Sequence, residues 1–404
     1  MGKHKRIQQC LLLFCSMLLL SGCWDLKYLD KLGVVMALGV DEDPTEKGRL
    51  QLTVQTVLTQ NTTPNTKVIS NGPPVTTFTE TGDTMFEAIR KMTSKTSRRL
   101  FFSHTQILVV SEGIAKKGVY PIIDIIERNP DIRGDIVVII AKGVTAKQML
   151  EMTTQQETVP ANQLYEMVSM NERIYGTSRK TTVQDIVRSA DIGSHEAVAA
   201  AIKIVGNKNK SNSEQNIATM PAQAYPNVVG VGVFKQGKLV GYLSPMEARG
   251  LNWLASNVAS TVIKLPCFSS TNSLMVEVLD TKTTIKTRRV AEDEPFFQIE
   301  VETTGSVREI MCENLNISEE SVLNQIGELT SEHIKAEMEQ TIATLQKKLK
   351  ADALGWGEQV YRHQPKVWKK IHEQWQEKFP QIKYEIICKT VIRGTGVRDG
   401  AVTE

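Results

Sequence analysis

A chain of 404 residues has room for two or three domains, each with its own core. Its 41% hydrophobic and 23% charged content is ordinary for a folded soluble body and excludes a multi-span membrane protein. A net charge of only +3, with basic and acidic residues interleaved, excludes the concentrated basic face of a nucleic-acid binder.

Lys3, Lys5 and Arg6 form a basic leader, and Cys10 to Leu20 is an apolar run. That run is too short to cross a ~30 Å hydrocarbon core as a helix, which takes about 20 residues, and it fits a cleaved export signal. Leu20-Ser21-Gly22-Cys23 then matches the bacterial lipobox, in which small residues precede a Cys. The thiol can become a diacylglyceryl thioether, and cleavage before it frees an amine for a further acyl chain. Two or three chains at ~0.8 kcal/mol per buried CH₂ hold a protein durably on a membrane. Residues 1–22 are therefore expected to be removed, leaving Cys23 as the S-diacylglyceryl, N-acyl first residue. N-myristoylation is excluded, because Arg6 stands where that signal needs Ser or Thr. Cys267, Cys312 and Cys388 are widely spaced and odd in number. They are expected to be buried free thiols rather than a disulfide framework.

Leu32 to Val40 and Leu50 to Leu58 read as a strand pair, the second with apolar–polar alternation, and Thr59 to Thr77 as a polar loop. Asp83 is the expected cap of a helix over Thr84 to Thr96, with Met85, Ile89 and Met92 as its apolar stripe. A strand (Gln106–Val110), a helix (Ile114–Arg128) and a buried strand (Asp135–Ala141) then imply a crossover unit. Helices capped by Thr145, over Asn162 to Glu172 and over Val183 to Ala190, lead to a strand at Val198 to Val205. Gly206 to Tyr225 is polar and poor in large apolar groups, so it reads as a linker. Beyond it come strands Val228–Phe234 and Lys238–Tyr242, and a helix with Ser244, Pro245 and Glu247 in a capping box. Leu274–Leu279, Thr283–Val290 and Phe296–Thr303 read as a three-stranded meander. Ser321 to Lys350 is the longest helical signal, broken by Gly355-Trp356-Gly357. Pro365 to Glu377 reads as an amphipathic helix and Gln381 to Ile392 as the last strand.

The resulting fold class is α+β and multi-domain: mixed or antiparallel sheets, packed helices, and a long helix near the C-terminal part. The expected division is a signal peptide (1–22), an N-terminal domain (23–205), a linker (206–225) and a C-terminal domain (226–404). The last is divisible into two sub-domains near 260–305.

No sequence pattern for chemistry appears. His195-Glu196 and His372-Glu373 lack the second His of a zinc helix, and Gly230-x-Gly232 is followed by Lys235 where a dinucleotide loop has its third Gly. Pro44 breaks Asp41-Glu42-Asp43, so it is no calcium loop. Neither a metal nor a cofactor is expected. His104, beside Arg98 and Arg99, has no Cys or Ser partner nearby and reads as a structural, hydrogen-bonding or interface residue. Trp356, Trp368 and Trp375 read as core aromatics rather than a ligand cage.

Four blocks carry a resemblance. Cys23-Trp24-Asp25 with LGVVMALGVDED, the Arg98–Arg133 segment RRLFFSHTQILVVSEGIAKKGVYPIIDIIERNPDIR, GVFKQGKLVGYLSPMEARGLNWL from Gly232, and DALGWGEQVYRHQPKVWKKIHEQWQEKF from Asp352 occur in order along nearly the whole mature chain. Together the chain resembles the Ger(x)C family of spore germination lipoproteins. Ala353 to Gly357 departs mildly from the family pattern, keeping Leu354 and Trp356 at its apolar positions. The resemblance implies a non-enzymatic subunit of a nutrient germinant receptor, needed for assembly or signalling. It would be held by lipid on the outer face of the spore inner membrane beside A-type and B-type integral membrane subunits. It marks Trp24, Asp25, Arg98, Arg99, His104 and Arg133 as motif or interface candidates. The alternatives are a lipoprotein that captures a nutrient solute directly and a cell-wall hydrolase, the latter opposed by the absence of a His-metal or Cys-His constellation.

Overall fold

The computed structural model describes residues 7, 31–57, 74–268, 272–291, 294–313 and 315–393. Cys23, Trp24 and Asp25, and the expected signal peptide apart from residue 7, lie outside the described residues. The architecture is α+β with two mixed sheets.

The first sheet runs in the order β3-β2-β1-β5-β6-β7-β8-β9, where β1 is Leu32–Glu42, β2 Leu50–Val57, β3 Val75–Gly82, β5 Ile107–Ser111, β6 Val137–Ala141, β7 Val198–Gly206, β8 Ala224–Lys235 and β9 Lys238–Leu243. A short β4, Arg99–Phe101, lies parallel to the start of β1. The centre β1-β5-β6-β7 is parallel and both margins are antiparallel. Parallel strands need cover on both faces, which is why their residues are apolar without alternation. In β5, Leu108 and Val110 face one core while Ile107 and Val109 face the other. Helices α1 (Met85–Lys91), α2 (Glu112–Lys117) and α3 (Tyr120–Arg128) cover the first face; α4 (Ala146–Leu150) and α5 (Pro160–Ile174) cover the second. Helix α6, Val183–Ile192, adds Val183 and Ile186 to the first. In β1 the facing changes phase: Val35 lies in the first core, Ala37 in the second, and Leu38 and Val40 in the first again. The register shift between Val35 and Ala37 causes this, since one extra residue reverses every side chain after it.

The second sheet runs β10-β11-β12-β13: Thr261–Pro266, Ser273–Ala291, Glu294–Ile310 and Lys383–Ile392. The first three strands are antiparallel, and β13 is parallel to β12. Helix α8, Pro245–Leu254, and the long α9, Glu320–Ala343, share its core with Val231 and Val233 of β8. That core therefore reaches the end of the first sheet.

Several local expectations change. Gly206–Tyr225, read as a linker, joins β7 to β8 within one sheet and contains α7, Glu214–Ala218. Buried Asn216 pins it: its side-chain amide donates to the Ala224 and Thr153 carbonyls at 3.0 and 3.1 Å and accepts from the Ala224 N–H at 2.8 Å. The expected loop Thr59–Thr77 overlaps the start of the Thr-rich edge strand β3, Val75–Gly82; Thr suits a pleated edge. Lys95 covers that edge by donating to the Thr79 carbonyl at 2.9 Å. Thr84, not Asp83, caps α1. Gly118, at φ 133°, splits the expected Ile114–Arg128 helix into α2 and α3. The two strands expected at 274–290 are one, β11, with a register irregularity between Val278 and Asp280. Cys267 and Cys312 are not free thiols: they form a disulfide tying the end of β10 to the segment after β12. Cys388 remains a half-buried thiol whose pKa burial pushes up to about 11.

Candidate functional site at the junction of the two sheets

Of the residues singled out in the sequence, Arg98, Arg99, His104 and Arg133 lie among the described residues, near the short strand β4 and the turn after it. Arg99, in β4, lies 3.8 Å from Asp131, and Arg133 donates to Asp135 at 2.9 Å. The Ser103 hydroxyl donates to the Asp131 carbonyl at 3.1 Å, which holds the turn carrying His104 near Asp131. His104 is exposed and lies edge-on to Phe101, ring centroids 5.7 Å apart. Arg98 is half-buried. On this rim Arg99 and Arg133 are exposed and paired with Asp131 and Asp135.

A second site lies where the chain leaves α9. After α9 the chain makes a wide helical turn over Thr344–Leu349, leaves it through Lys350 in the left-handed region (φ 51°), and buries Asp352. The Asp352 carboxylate accepts the N–H groups of Trp356 at 3.1 Å and Gly357 at 2.7 Å, and the Trp375 indole N–H at 3.0 Å. It thereby satisfies the first turn of α10, Trp356–His363, and fastens it to α12, Trp375–Lys378, which follows α11, Pro365–Ile371. Burial pushes the Asp352 carboxyl up to about 7, against the pull of these donors.

Two glycines let this loop reach the first sheet. Gly355 adopts φ +69°, and a Cβ on Gly357 would stand 2.5 Å from the Ser194 carbonyl oxygen. The Asp352 carbonyl accepts the Glu196 N–H at 2.8 Å. The Glu196 carboxylate in turn accepts from the Gln236 N–H at 2.8 Å and the Gln376 amide at 3.1 Å. Gln236 and Gly237 both have positive φ, the geometry of a two-residue hairpin turn between β8 and β9. One carboxylate thus joins the hairpin of the first sheet to the C-terminal helices. Trp356 stacks on Phe297 of β12 with centroids 4.5 Å apart, while Trp356 and Trp375 are buried, so they are core residues.

Beside this contact, α6, α8 and α10 enclose a cavity of about 310 Å³ whose walls include Arg179, Arg188, His195, Leu254, Glu358 and Arg362. Arg179 donates to the Asn252 side-chain oxygen at 3.1 Å and lies 4.0 Å from Glu172. Asn252 donates to the Gly176 and Ser178 carbonyls, both at 2.7 Å, so α8 and the 176–179 segment are stitched together. Burial pulls the Arg179 pKa below its ordinary value, with Glu172 and Asp185 opposing. His195 Nδ1 lies 3.6 Å from Glu358; burial lowers its pKa, Glu358 raises it, and Arg179 lowers it, with a net downward shift.

Behind the cavity, α8 is locked to α9. Arg249 donates to Glu337 through both Nε, at 2.9 Å, and a terminal nitrogen, and the Trp253 indole donates to the same carboxylate at 3.0 Å. A Cβ on Gly250 would stand 2.1 Å from the Thr341 hydroxyl, so only Gly allows this close crossing. Burial pushes Glu337 up, but hydrogen bonds from His333 and Arg249 leave its pKa below the usual carboxylate value.

Among the described residues no cluster of His, Cys, Asp or Glu is arranged to hold a metal, and no helix is long and apolar enough to cross a membrane. Sequence reading missed Asp352, Glu196 and Arg179. For Asp352 the available signal is an Asp followed by Gly at +3 and +5, a pattern that the sequence reading takes as a helix stop and as the start of a family block, without assigning the carboxylate a role.

Two family models match the chain in order. The one described as "Spore germination protein N-terminal domain" covers residues 25–204, and "Spore germination B3/ GerAC like, C-terminal" covers 229–396. Their boundaries flank the β7–β8 connection. The chain is 26% identical over 406 residues to "Spore germination protein KC" of Bacillus subtilis (strain 168), covering 98% of each. It is 24% identical over 390 residues to "Spore germination protein B3" of the same organism, covering 95% of this chain and 97% of the relative. A solved structure, "Crystal Structure of the GerBC protein", superposes with a TM-score of 0.55 at 18% identity, covering 91% of this chain and 99% of that one. At that identity the likeness is one of fold.

Proposed function

Because the chain belongs to the GerAC-like family of spore germination proteins, we propose that it is a lipid-anchored, non-enzymatic subunit of a spore nutrient germinant receptor. Cys23 carries the lipid. The subunit sits on the outer face of the spore inner membrane and works with A-type and B-type integral membrane subunits in receptor assembly or signalling. The observation that carries the reading is full-length correspondence: both family halves are present in order, and spore germination relatives align over nearly their whole lengths. The ordered basic leader, apolar run and lipobox support the anchor. The Cys267–Cys312 disulfide supports export, since such bonds persist in oxidising compartments. The rim with Arg98, Arg99, His104 and Arg133 is the proposed contact for a partner subunit, and Trp24-Asp25 would lie next to the lipid.

The test is Cys23→Ala. Loss of membrane retention and of lipid labelling, with loss of the nutrient response, is expected. Unchanged retention and labelling would refute the anchor. Co-purification of the tagged chain from spore membranes tests the partners; absence of both integral subunits would refute receptor membership.

A further inference from the structure

The cavity at the junction has the chemistry of a small-molecule site. Its walls carry four cationic side chains, Arg179, Lys180, Arg188 and Arg362, against two carboxylates, Asp185 and Glu358. His195, with its pKa held down by burial, adds little to that surplus at neutral pH. Leu251, Leu254 and Leu354 supply apolar wall. The volume of about 310 Å³ lies at the small end of ligand cavities, roughly 300–1,000 Å³, and such cavities favour domain junctions. Guanidinium groups present planar paired donors that match a carboxylate. Arg179 is held in place by Asn252 and keeps 30% of its side chain accessible although it follows buried Ser178. Burying it so near the core is costly, and an incoming anion would offset part of that cost.

We propose that this cavity binds a small carboxylate with a short branched apolar tail, the charge met by Arg179 and Arg188 and the tail by Leu251 and Leu254. The walls come from α6, α8 and α10, so occupancy would hold the first sheet's helices against the C-terminal helices. This goes beyond membership of a receptor and does not depend on the lipid anchor.

The experiment is calorimetric titration of the full chain in lipid nanodiscs with 3-methylbutanoate, the neutral 3-methylbutanamide and inorganic phosphate. Saturable binding of the carboxylate alone is expected. Arg188→Gln, at an exposed position, should weaken it about tenfold, the loss of roughly one charge-assisted hydrogen bond. No binding of 3-methylbutanoate to the wild type would overturn the proposal. Equal binding of the amide would overturn charge recognition, and equal binding of phosphate would overturn the role of the apolar wall. If Arg188→Gln remains folded by circular dichroism and binds as tightly as wild type, the cavity is not the site. Because membrane retention of Cys23→Ala is measured separately, failure here leaves the receptor reading intact, and the converse holds.

Discussion

The rim of the first sheet and the junction behind it are built from similar residue types with opposite physics. On the rim, Arg99, His104 and Arg133 are exposed, and Arg99 and Arg133 pair with Asp131 and Asp135 on nearby turns. Such pairs contribute about 0–1 kcal/mol each, because water screens the charges and ordering long side chains costs entropy. At the junction, Arg249, Glu337 and Asp352 are buried: Arg249 pairs with Glu337 from a distant helix, and Asp352 is held by Trp356 and Gly357 of the turn that follows it and by Trp375. A buried charge left without its partner costs several kcal/mol. Charge that looks prominent in a sequence is therefore available for recognition, whereas charge that holds the molecule together looks unremarkable there.

Five substitutions would break or sharpen that contrast. The largest effect is expected for Glu337→Leu, which strands the Arg249 guanidinium: about 3–5 kcal/mol of stability should be lost in denaturant unfolding. Arg249→Met added to it should recover much of that loss; an additive double variant would show that the pair is not coupled. Gly357→Ala comes next. Its Cβ must displace the Ser194 carbonyl or the Trp375 indole, at about 1–3 kcal/mol, read as a lowered melting temperature.

Asp352→Asn tests the junction through pH. The native carboxyl is raised from 3.8 to about 7, so its contribution is complete below about pH 4 and is lost as pH rises through about 7. The wild type's stability advantage over Asp352→Asn should therefore shrink between pH 5 and pH 8 in paired denaturation curves. An advantage that grew over that window would mean that the three donors outweigh burial. The smallest effect is expected at the rim: Arg99→Gln should change stability by less than about 0.5 kcal/mol. A loss of receptor assembly in spore membranes at unchanged stability would identify the rim as an interface. No change in either measurement would end its candidacy.

What the sequence by itself determined is everything governed by local order along the chain. The apolar runs of β5 and β6, the cap at Thr145, the capping box at Ser244, and the stripe of α9 all follow from neighbours a few residues apart. The lipobox belongs to the same class, since a processing signal is read as a linear string. Only the tertiary structure decided the rest. It placed β8 and β9 in the first sheet, paired Cys267 with Cys312 across 45 residues, and set Asp352 against Glu196. Arg179 and Arg362, two of the three arginines at the cavity, were likewise brought together only by folding. These contacts join residues far apart in the chain, and a carboxylate or thiol carries no local mark of the partner that folding will bring to it.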